Sequence, residues 1–219
     1  MADQNSKPVS LSRQAFLRMP YYLQYLNQLK LQGSRLVAAP AVAEALRLNE
    51  VQVRKDFASV SSTKGLPKKG FAIDGLILDM ERCLGYHNVD QAALVGAGSL
   101  GQALMSYKGF TQYGLDIVLA FDNNEALVGQ RMCGKYVLSS SRISDMCRRM
   151  QIHIGIITVP DAQAQIVCDQ LVAGGVRAIW NFAPVHLSAP PGTLVQNENL
   201  AASLALMTKQ IKGQQQQAK

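Results

Sequence analysis

Apolar residues recur at steps of three and four from Ser12 to Leu31 (Phe16, Met19, Tyr22, Leu23, Leu26, Leu29), the period of an amphipathic helix. Pro20 interrupts this stretch, so the regular helix is expected to start there with proline in its first turn, and Gly33 to stop it. After an extended "RLVA", a short helix is expected over Ala41–Leu46 and a second over about Glu50–Ser59. Asn49 has N-cap chemistry, and Gln52 three residues later completes a capping-box pattern. On the second helix Val51, Val53 and Phe57 are expected to face inward, with Gln52, Arg54 and Lys55 outward. "SSTKGLPKKGFAID" reads as a β-hairpin or loop with Lys64, Lys68 and Lys69 at its tip, and Asp74–Tyr86 as one more amphipathic helix.

Beyond this point the period changes. Short apolar runs at Ala92–Val95, Leu115–Asp122, His153–Val159 and Ala178–Phe182 read as strands. Helices fit between them: one from Ser99, another from Asp161, a possible cap, to the Gly174-Gly175 stop. Alternating strands and helices with short loops predict an α/β fold, a doubly wound and mostly parallel sheet of Rossmann type. The expected organisation is a winged-helix domain at 1–86, a Rossmann domain at 87–197, a C-terminal helix at 198–211 and a disordered polar tail at 212–219.

Composition narrows the function. Hydrophobic residues are 48% of the chain, and no apolar run approaches the ~20 residues that span a bilayer. The polar start, "MADQNSKPVS", does not read as a signal peptide, so a soluble cytoplasmic protein without a membrane partner is expected. Cys83, Cys133, Cys147 and Cys168 form no C-x-x-C pair and are expected to be reduced and mostly buried. His87, His153 and His186 fit no metal-ligand spacing, so no metal is expected. Net charge is +7, and its excess lies in front: residues 1–88 hold twelve Lys/Arg against seven Asp/Glu, residues 89–219 ten against eight. A basic front segment is the footprint of a phosphate-backbone binder.

Two short helices joined by a tight turn suggest helix-turn-helix, with Gln52, Arg54 and Lys55 early on the second helix, where base edges are met. A solvated basic face has the same composition. The lysine-bearing hairpin that follows favours a winged helix.

"LVGAGSLG" places Gly96-x-Gly98-x-x-Gly101 between a strand and a helix, the dinucleotide fingerprint. Gly96 permits the turn, Gly98 the approach of a pyrophosphate, and Gly101 close helix–strand packing. Asp122 ends the next strand twenty-one residues beyond Gly101, where it accepts hydrogen bonds from ribose hydroxyls and repels a 2′-phosphate. NAD(H) over NADP(H) follows. "TVP" (Thr158–Pro160) and "NFAP" (Asn181–Pro184) end later strands, expected near the nicotinamide. Of the groups there, only His186 has acid–base chemistry suited to an oxidoreductase, and a surface histidine is the plainer reading.

The stretches "LRMPYYLQYL", "VQVRKDF", "ALVGAGSLGQAL", "YKGF", "AFD", "ITVP" and "WNFAPVHLSAP" together resemble the Rex redox-sensing transcriptional repressors of bacteria, from about Leu11 to Met207. The resemblance implies a homodimer that binds operator DNA through winged helices, senses NADH against NAD⁺ in its Rossmann domain, and exchanges its C-terminal helix (Glu198–Ile211) between protomers. It implies cofactor contacts from Gly96, Ala97, Gly98, Ser99, Leu100, Gly101, Asp122, Thr158, Val159, Pro160, Asn181, Phe182 and Ala183. DNA contacts are implied for Gln52, Arg54, Lys55, Ser59, Lys64, Lys68 and Lys69. Family members carry a switching network of an N-terminal arginine, a tyrosine and a C-terminal acid. Here Arg18 matches the arginine, while Ile73 and Asn199 stand in the other two places. Ala58, Ser59 and Val60 likewise replace the usual Ser, Tyr and Phe. The expected function is therefore a dimeric NAD(H)-sensing repressor. A DNA-binding regulator of the same build with lost or altered switching is the alternative, and a small NAD-dependent oxidoreductase the third.

Overall fold

The computed structural model describes residues 11–63, 65–66, 70–86 and 90–217. The chain divides into two compact units, Met1–Asn88 and Val89–Lys219.

The first unit is helical with a two-stranded ribbon. Helix α1 (Arg13–Leu31) begins at Ser12, whose side chain accepts from the Ala15 N–H at 3.1 Å. It runs straight through Pro20, seven residues earlier than expected. Proline there removes only its own N–H, and the side chain at the position four residues back, Phe16, is 44% exposed, on a face that the core does not use. Met19, Tyr22, Leu23 and Leu26 form the buried stripe. Strand β1 (Leu36–Val37), α2 (Ala39–Leu46), α3 (Glu50–Val60), β2 (Phe71–Ala72) and α4 (Ile73–Leu84) follow.

On α3 the buried positions are Val53, Asp56, Phe57 and Val60, at i, i+3, i+4 and i+7. Val51, expected inside, is 57% exposed because it falls off this stripe. Phe57 meets Tyr22 and Phe71 edge-to-face at centroid distances of 5.3 and 5.5 Å, tying α3 to α1 and to the ribbon. Strands β1 and β2 pair antiparallel, and Leu66 and Gly70 exchange backbone hydrogen bonds of 2.7 and 2.9 Å at the base of the hairpin. Lys64, Lys68 and Lys69 lie outside the described residues. Ile73 is 1% exposed in the core of this unit.

The second unit is a seven-stranded sheet ordered β5-β6-β4-β3-β7-β8-β9. Its strands are β3 (Asp90–Val95), β4 (Leu115–Asp122), β5 (Arg131–Met132), β6 (Lys135–Ser139), β7 (Ile154–Ile157), β8 (Ala178–Asn181) and β9 (Leu194–Asn197). Every pairing is parallel except the β5–β6 hairpin. Helices α5 (Ser99–Ser106), α6 (Gly109–Gln112), α7 (Ile143–Arg149) and α8 (Asp161–Ala173) connect the strands. Two buried clusters face opposite sides of the sheet, one holding Ala93, Val95, Ile157 and Leu171, the other Ala92, Leu94, Ile156 and Met105. Burial of alternate β3 residues in different clusters is the mark of a strand covered on both faces.

Three strands went unread in the sequence: β5 and β9 carry at most two apolar residues each, and β6 takes its extended form from pairing with β4. Pro160 rather than Asp161 occupies the N-cap of α8, and Asp161 instead accepts from the Ala162 N–H. The last helix, α9 (Leu200–Gln217), is capped by the Asn199 side chain, which accepts from the Ala202 N–H at 2.8 Å. It continues past Ile211 through residues expected to be disordered, since "KGQQQQ" holds glutamines that prolong a helix once it is nucleated.

Among the cysteines, Cys147 and Cys168 are fully buried, Cys83 is partly so, and Cys133 is exposed at the tip of the β5–β6 hairpin with φ of 49°. Burial pushes the Cys147 thiol up to about 11. One fast-reacting thiol is therefore expected with a disulfide reagent at pH 8. Cys133→Ser removes that phase, and Cys147 and Cys168 react only on unfolding. Rapid labelling of all four would contradict this packing.

Candidate nucleotide cleft and DNA-reading helix

The chain leaves the centre of the sheet from β3 in both directions, through β4 on one side and β7 on the other. At that switch point the connections leaving β3 and β7 pass to opposite faces of the sheet and open a crevice. A cleft of about 370 Å³ lies there, lined by Gly96, Gly98, Asp122, Asn123, Ser140, Thr158, Val159, Pro160, Gln163, Ile166, Val167 and Gln170.

Backbone chemistry builds this cleft. Gly96 has φ of +102°, and a Cβ there would lie 2.8 Å from the Thr158 backbone. A Cβ on Gly101 would overlap the Gly96 carbonyl oxygen, so this glycine lets α5 close onto the turn. Gly98, in contrast, has nothing within 4 Å of its absent Cβ: its open side is free space. The Thr158 hydroxyl donates to Gly96 O at 2.7 Å, pinning β7 to the turn. Asp122 accepts from the Ala97 N–H at 2.7 Å and the Asn124 N–H at 2.8 Å, which fixes its carboxylate beside the glycine turn. A carboxylate holding two backbone donors retains lone pairs for further hydroxyl donors.

Of the sequence-predicted cofactor residues, Gly96, Gly98, Asp122, Thr158, Val159 and Pro160 line the cleft together. Ser99 and Leu100 are exposed at the start of α5. Asn181 points elsewhere. It is fully buried, donating to the carbonyls of Ala183 and Val185 and to Asn197, and accepting from the Ala183 N–H. Those four bonds use it to shape the loop after β8. Phe182 meets Trp180 at a tilt with ring centroids 4.7 Å apart, and Ala183 is buried in the core. Asn123, Ser140, Gln163, Ile166, Val167 and Gln170 escaped sequence reading: α8 brings four of them to the cleft, and neither a turn nor a charge pattern marks them. His186 is exposed and does not line the cleft.

In the first unit, Asp56 on α3 is 2% exposed, and three donors converge on it. Arg18 donates through Nε at 2.8 Å and through a second guanidinium nitrogen at 3.1 Å, Tyr22 through its hydroxyl at 2.8 Å, and Gln52 through Nε2 at 2.8 Å. Burial pushes the carboxyl up, but the bonds from Arg18, Tyr22 and Gln52 outweigh it, and the group titrates below its ordinary 3.8. The bond to Asp56 in turn raises Arg18, and burial with the same partner raises Tyr22. Sequence reading singled out Arg18, Gln52, Arg54 and Lys55 and passed over Asp56, because nothing along the chain shows that a charged residue faces inward. Gln52 thus spends its amide on Asp56 rather than on the second half of a capping box; only the Asn49 cap, accepting from the Gln52 N–H at 3.2 Å, forms. Arg54 pairs with Glu50 one turn back, Lys55 is exposed, and Ser59 donates to the Asp56 carbonyl at 2.7 Å. Asp79 on α4 accepts from the Ser62 N–H at 2.7 Å and hydroxyl at 2.8 Å, anchoring the segment that leaves α3 for the hairpin.

A small helical unit with a two-stranded wing and an outward basic helix, joined in one chain to a nucleotide-type doubly wound sheet, defines the class: a ligand-responsive DNA-binding regulator. The family described as CoA binding domain matches residues 88–185, and that described as putative DNA-binding protein N-terminus matches residues 10–58. The redox-sensing transcriptional repressor Rex of Bacteroides fragilis is 37% identical over 194 residues, covering 89% of this chain and 88% of that one. Its counterpart in Pelotomaculum thermopropionicum is 33% identical over 214 residues, covering 97% and 99%. The solved structure of RSP, in complex with β-NAD⁺ and operator DNA, superposes with a TM-score of 0.87 at 28% identity over 94% of each chain. RSP in complex with β-NADH superposes at 0.83 and 27%, covering 96% and 99%. The chain belongs to the Rex family of redox-sensing transcriptional repressors, which are regulators and not enzymes.

Removing Arg18 leaves a buried carboxylate short of its cationic partner, so Arg18→Ala is expected to destabilise the first unit by about 3 kcal/mol. The acid dependence has a definite sign. A carboxyl held below its unfolded value contributes stability that is complete above 3.8 and is lost as pH falls through the folded value. Urea midpoints between pH 6 and pH 3 should fall less steeply for Asp56→Asn than for the wild type. Parallel slopes would rule out Asp56 as the titrating group.

Proposed function

We propose that this chain is a cytoplasmic, homodimeric repressor that binds operator DNA through residues 1–86 and senses the NADH/NAD⁺ ratio in the cleft of residues 87–197. The observation that carries this reading is the resemblance over nearly the whole chain to RSP, which has been solved both with β-NAD⁺ and operator DNA and with β-NADH. Gln52, Arg54, Lys55 and Ser59 present α3 to the major groove, and Lys64, Lys68 and Lys69 meet the backbone from the wing. The exposed Leu204, Leu206, Met207 and Ile211 support α9 as the segment exchanged between protomers.

In the cleft, the open side of Gly98 and the free N–H groups at the start of α5 receive the pyrophosphate. Thr158, Val159 and Pro160 line the same cleft, and Asn181, Phe182 and Ala183 shape the adjoining strand end. Asp122 selects among adenosine-containing ligands. A free ribose diol donates to it, whereas a phosphate on the 2′ oxygen, as in NADP(H), or on the 3′ oxygen, as in coenzyme A, meets its negative charge.

A second reading, a regulator with altered redox switching, is favoured by Arg18. Its guanidinium is committed to Asp56 within the first unit, and a neutral Asn199 caps α9 where the family carries an acid.

Operator selection followed by titration with NADH decides between them. The redox sensor loses operator affinity at least tenfold at saturating NADH, and NADPH and coenzyme A at the same concentration have no effect. Unchanged affinity overturns the sensor reading in favour of the second. Gly98→Val should keep the fold and operator binding but abolish the NADH response. Arg54→Ala should abolish operator specificity and leave NADH affinity, measured by calorimetry, intact.

A further inference from the structure

Resting on the DNA-binding reading above, we propose that Gln52 reads an adenine in each operator half-site and that Asp56 is the positioning residue that sets its amide for that base.

Gln52 is the third residue of α3, exposed, in the first turn, where a recognition helix approaches base edges. Its side chain is already committed in one sense: Nε2 donates to Asp56 Oδ1 at 2.8 Å. A carboxylate only accepts. Turning the Gln52 amide over would set Oε1 against a carboxylate oxygen, two acceptors face to face, so this arrangement holds one of the two amide orientations. Asp56 cannot swing away to relieve that contact, because Arg18 and Tyr22 grip its oxygens from α1.

One N–H of Gln52 is spent on Asp56. The carbonyl oxygen and the second N–H remain, one acceptor beside one donor. Adenine presents the complement in the major groove, the N6 amino donor beside the N7 acceptor; guanine presents two acceptors and is not matched. The buried carboxylate thus contributes no contact to DNA. It removes the rotational freedom that would let Gln52 adapt to another base, which is preorganisation of a polar contact before binding.

The test is a randomised-operator selection with full-length wild type, Gln52→Ala, Gln52→Glu and Asp56→Asn, read by sequencing as base preference at every position. Affinity for random duplex is measured alongside. Wild type should favour adenine at one position of each half-site by about tenfold. Gln52→Ala should lose that preference and keep the others. Gln52→Glu, which has no N–H and accepts only, should shift the same position toward cytosine, whose N4 donates. Asp56→Asn can donate as well as accept and frees the amide, so the preference at that position should fall while random-duplex affinity stays unchanged. Adenine preference undiminished in Gln52→Ala overturns the base assignment. Full preference in a folded Asp56→Asn makes the carboxylate merely structural and overturns the positioning role. Should Asp56→Asn not fold, the wild-type operator complex decides: Gln52 Nε2 still on Asp56 with its outer edge on adenine supports the proposal, and an amide released from Asp56 refutes it. A wild type that selects no operator removes the DNA-binding reading itself, and this proposal falls with it.

Discussion

The nucleotide cleft depends on one constraint: the central strand β3 is covered on both faces and its end must turn without a side chain. Ala92 to Val95 are fully buried, so nothing in this stretch can reach solvent until the chain clears the sheet. It does so at Gly96, whose backbone runs against the end of β7, close enough that any Cβ would strike Thr158. The Gly96 N–H is taken by Phe121 O and the Thr158 N–H by Val95 O, which extends the ladders of β4 and β7 one step beyond the strands. The turn is therefore held from both sides, and Ala97 presents its N–H to Asp122 as a consequence. A ligand arriving there meets a rigid rim rather than a loop that must first be ordered, so less of its interaction energy goes into conformational entropy.

The first unit answers a different demand. The outward face of α3 is polar and exposed, so its grip on the domain comes from the inner stripe alone. Here that stripe contains an acid among Val53, Phe57 and Val60. An isolated buried carboxylate costs several kcal/mol, and this one is tolerated because a bidentate arginine and a tyrosine hydroxyl compensate it. An apolar residue of similar size would serve packing equally well or better. What an apolar residue would not do is fix the rotation of α3 about its own axis, since Phe57 against Tyr22 tolerates small slips that a two-pronged ion pair does not.

Elements with a strong period are legible in the chain: the pattern places α1, α3, α4, β4 and α8 to within a few residues, except that Pro20 suggests a start where it is an interior residue. Ser12, eight residues before Pro20, already caps the helix, so the proline falls inside it. Strands β6 and β9 were not legible, because "KYVLS" and "LVQN" become strands by pairing with β4 and β8 rather than by composition. Half of the cleft was visible for the same reason that the other half was not. The glycines and Asp122 announce themselves by local backbone demands, while Gln163 and Gln170 join the site only because α8 packs where the sheet topology sends it. Asn181 ends a strand as the sequence predicts, and four hydrogen bonds of its side chain make it part of the loop's own scaffold, which no local pattern announces.

The same logic bears on how the two functions of this chain communicate. The resemblance implies a switch role for Arg18, and its partner here is an acid on α3. Any arrangement that recruits Arg18 elsewhere must first leave Asp56 buried with only Tyr22 and Gln52 as donors, a cost of about 3 kcal/mol. A cost of that size is about half of the roughly 5.5 kcal/mol that carries a two-state population from one extreme to the other. It falls within α3 itself. A switch built on this arginine would therefore act on the seating of α3 itself, and with it on the Gln52 amide that Asp56 holds.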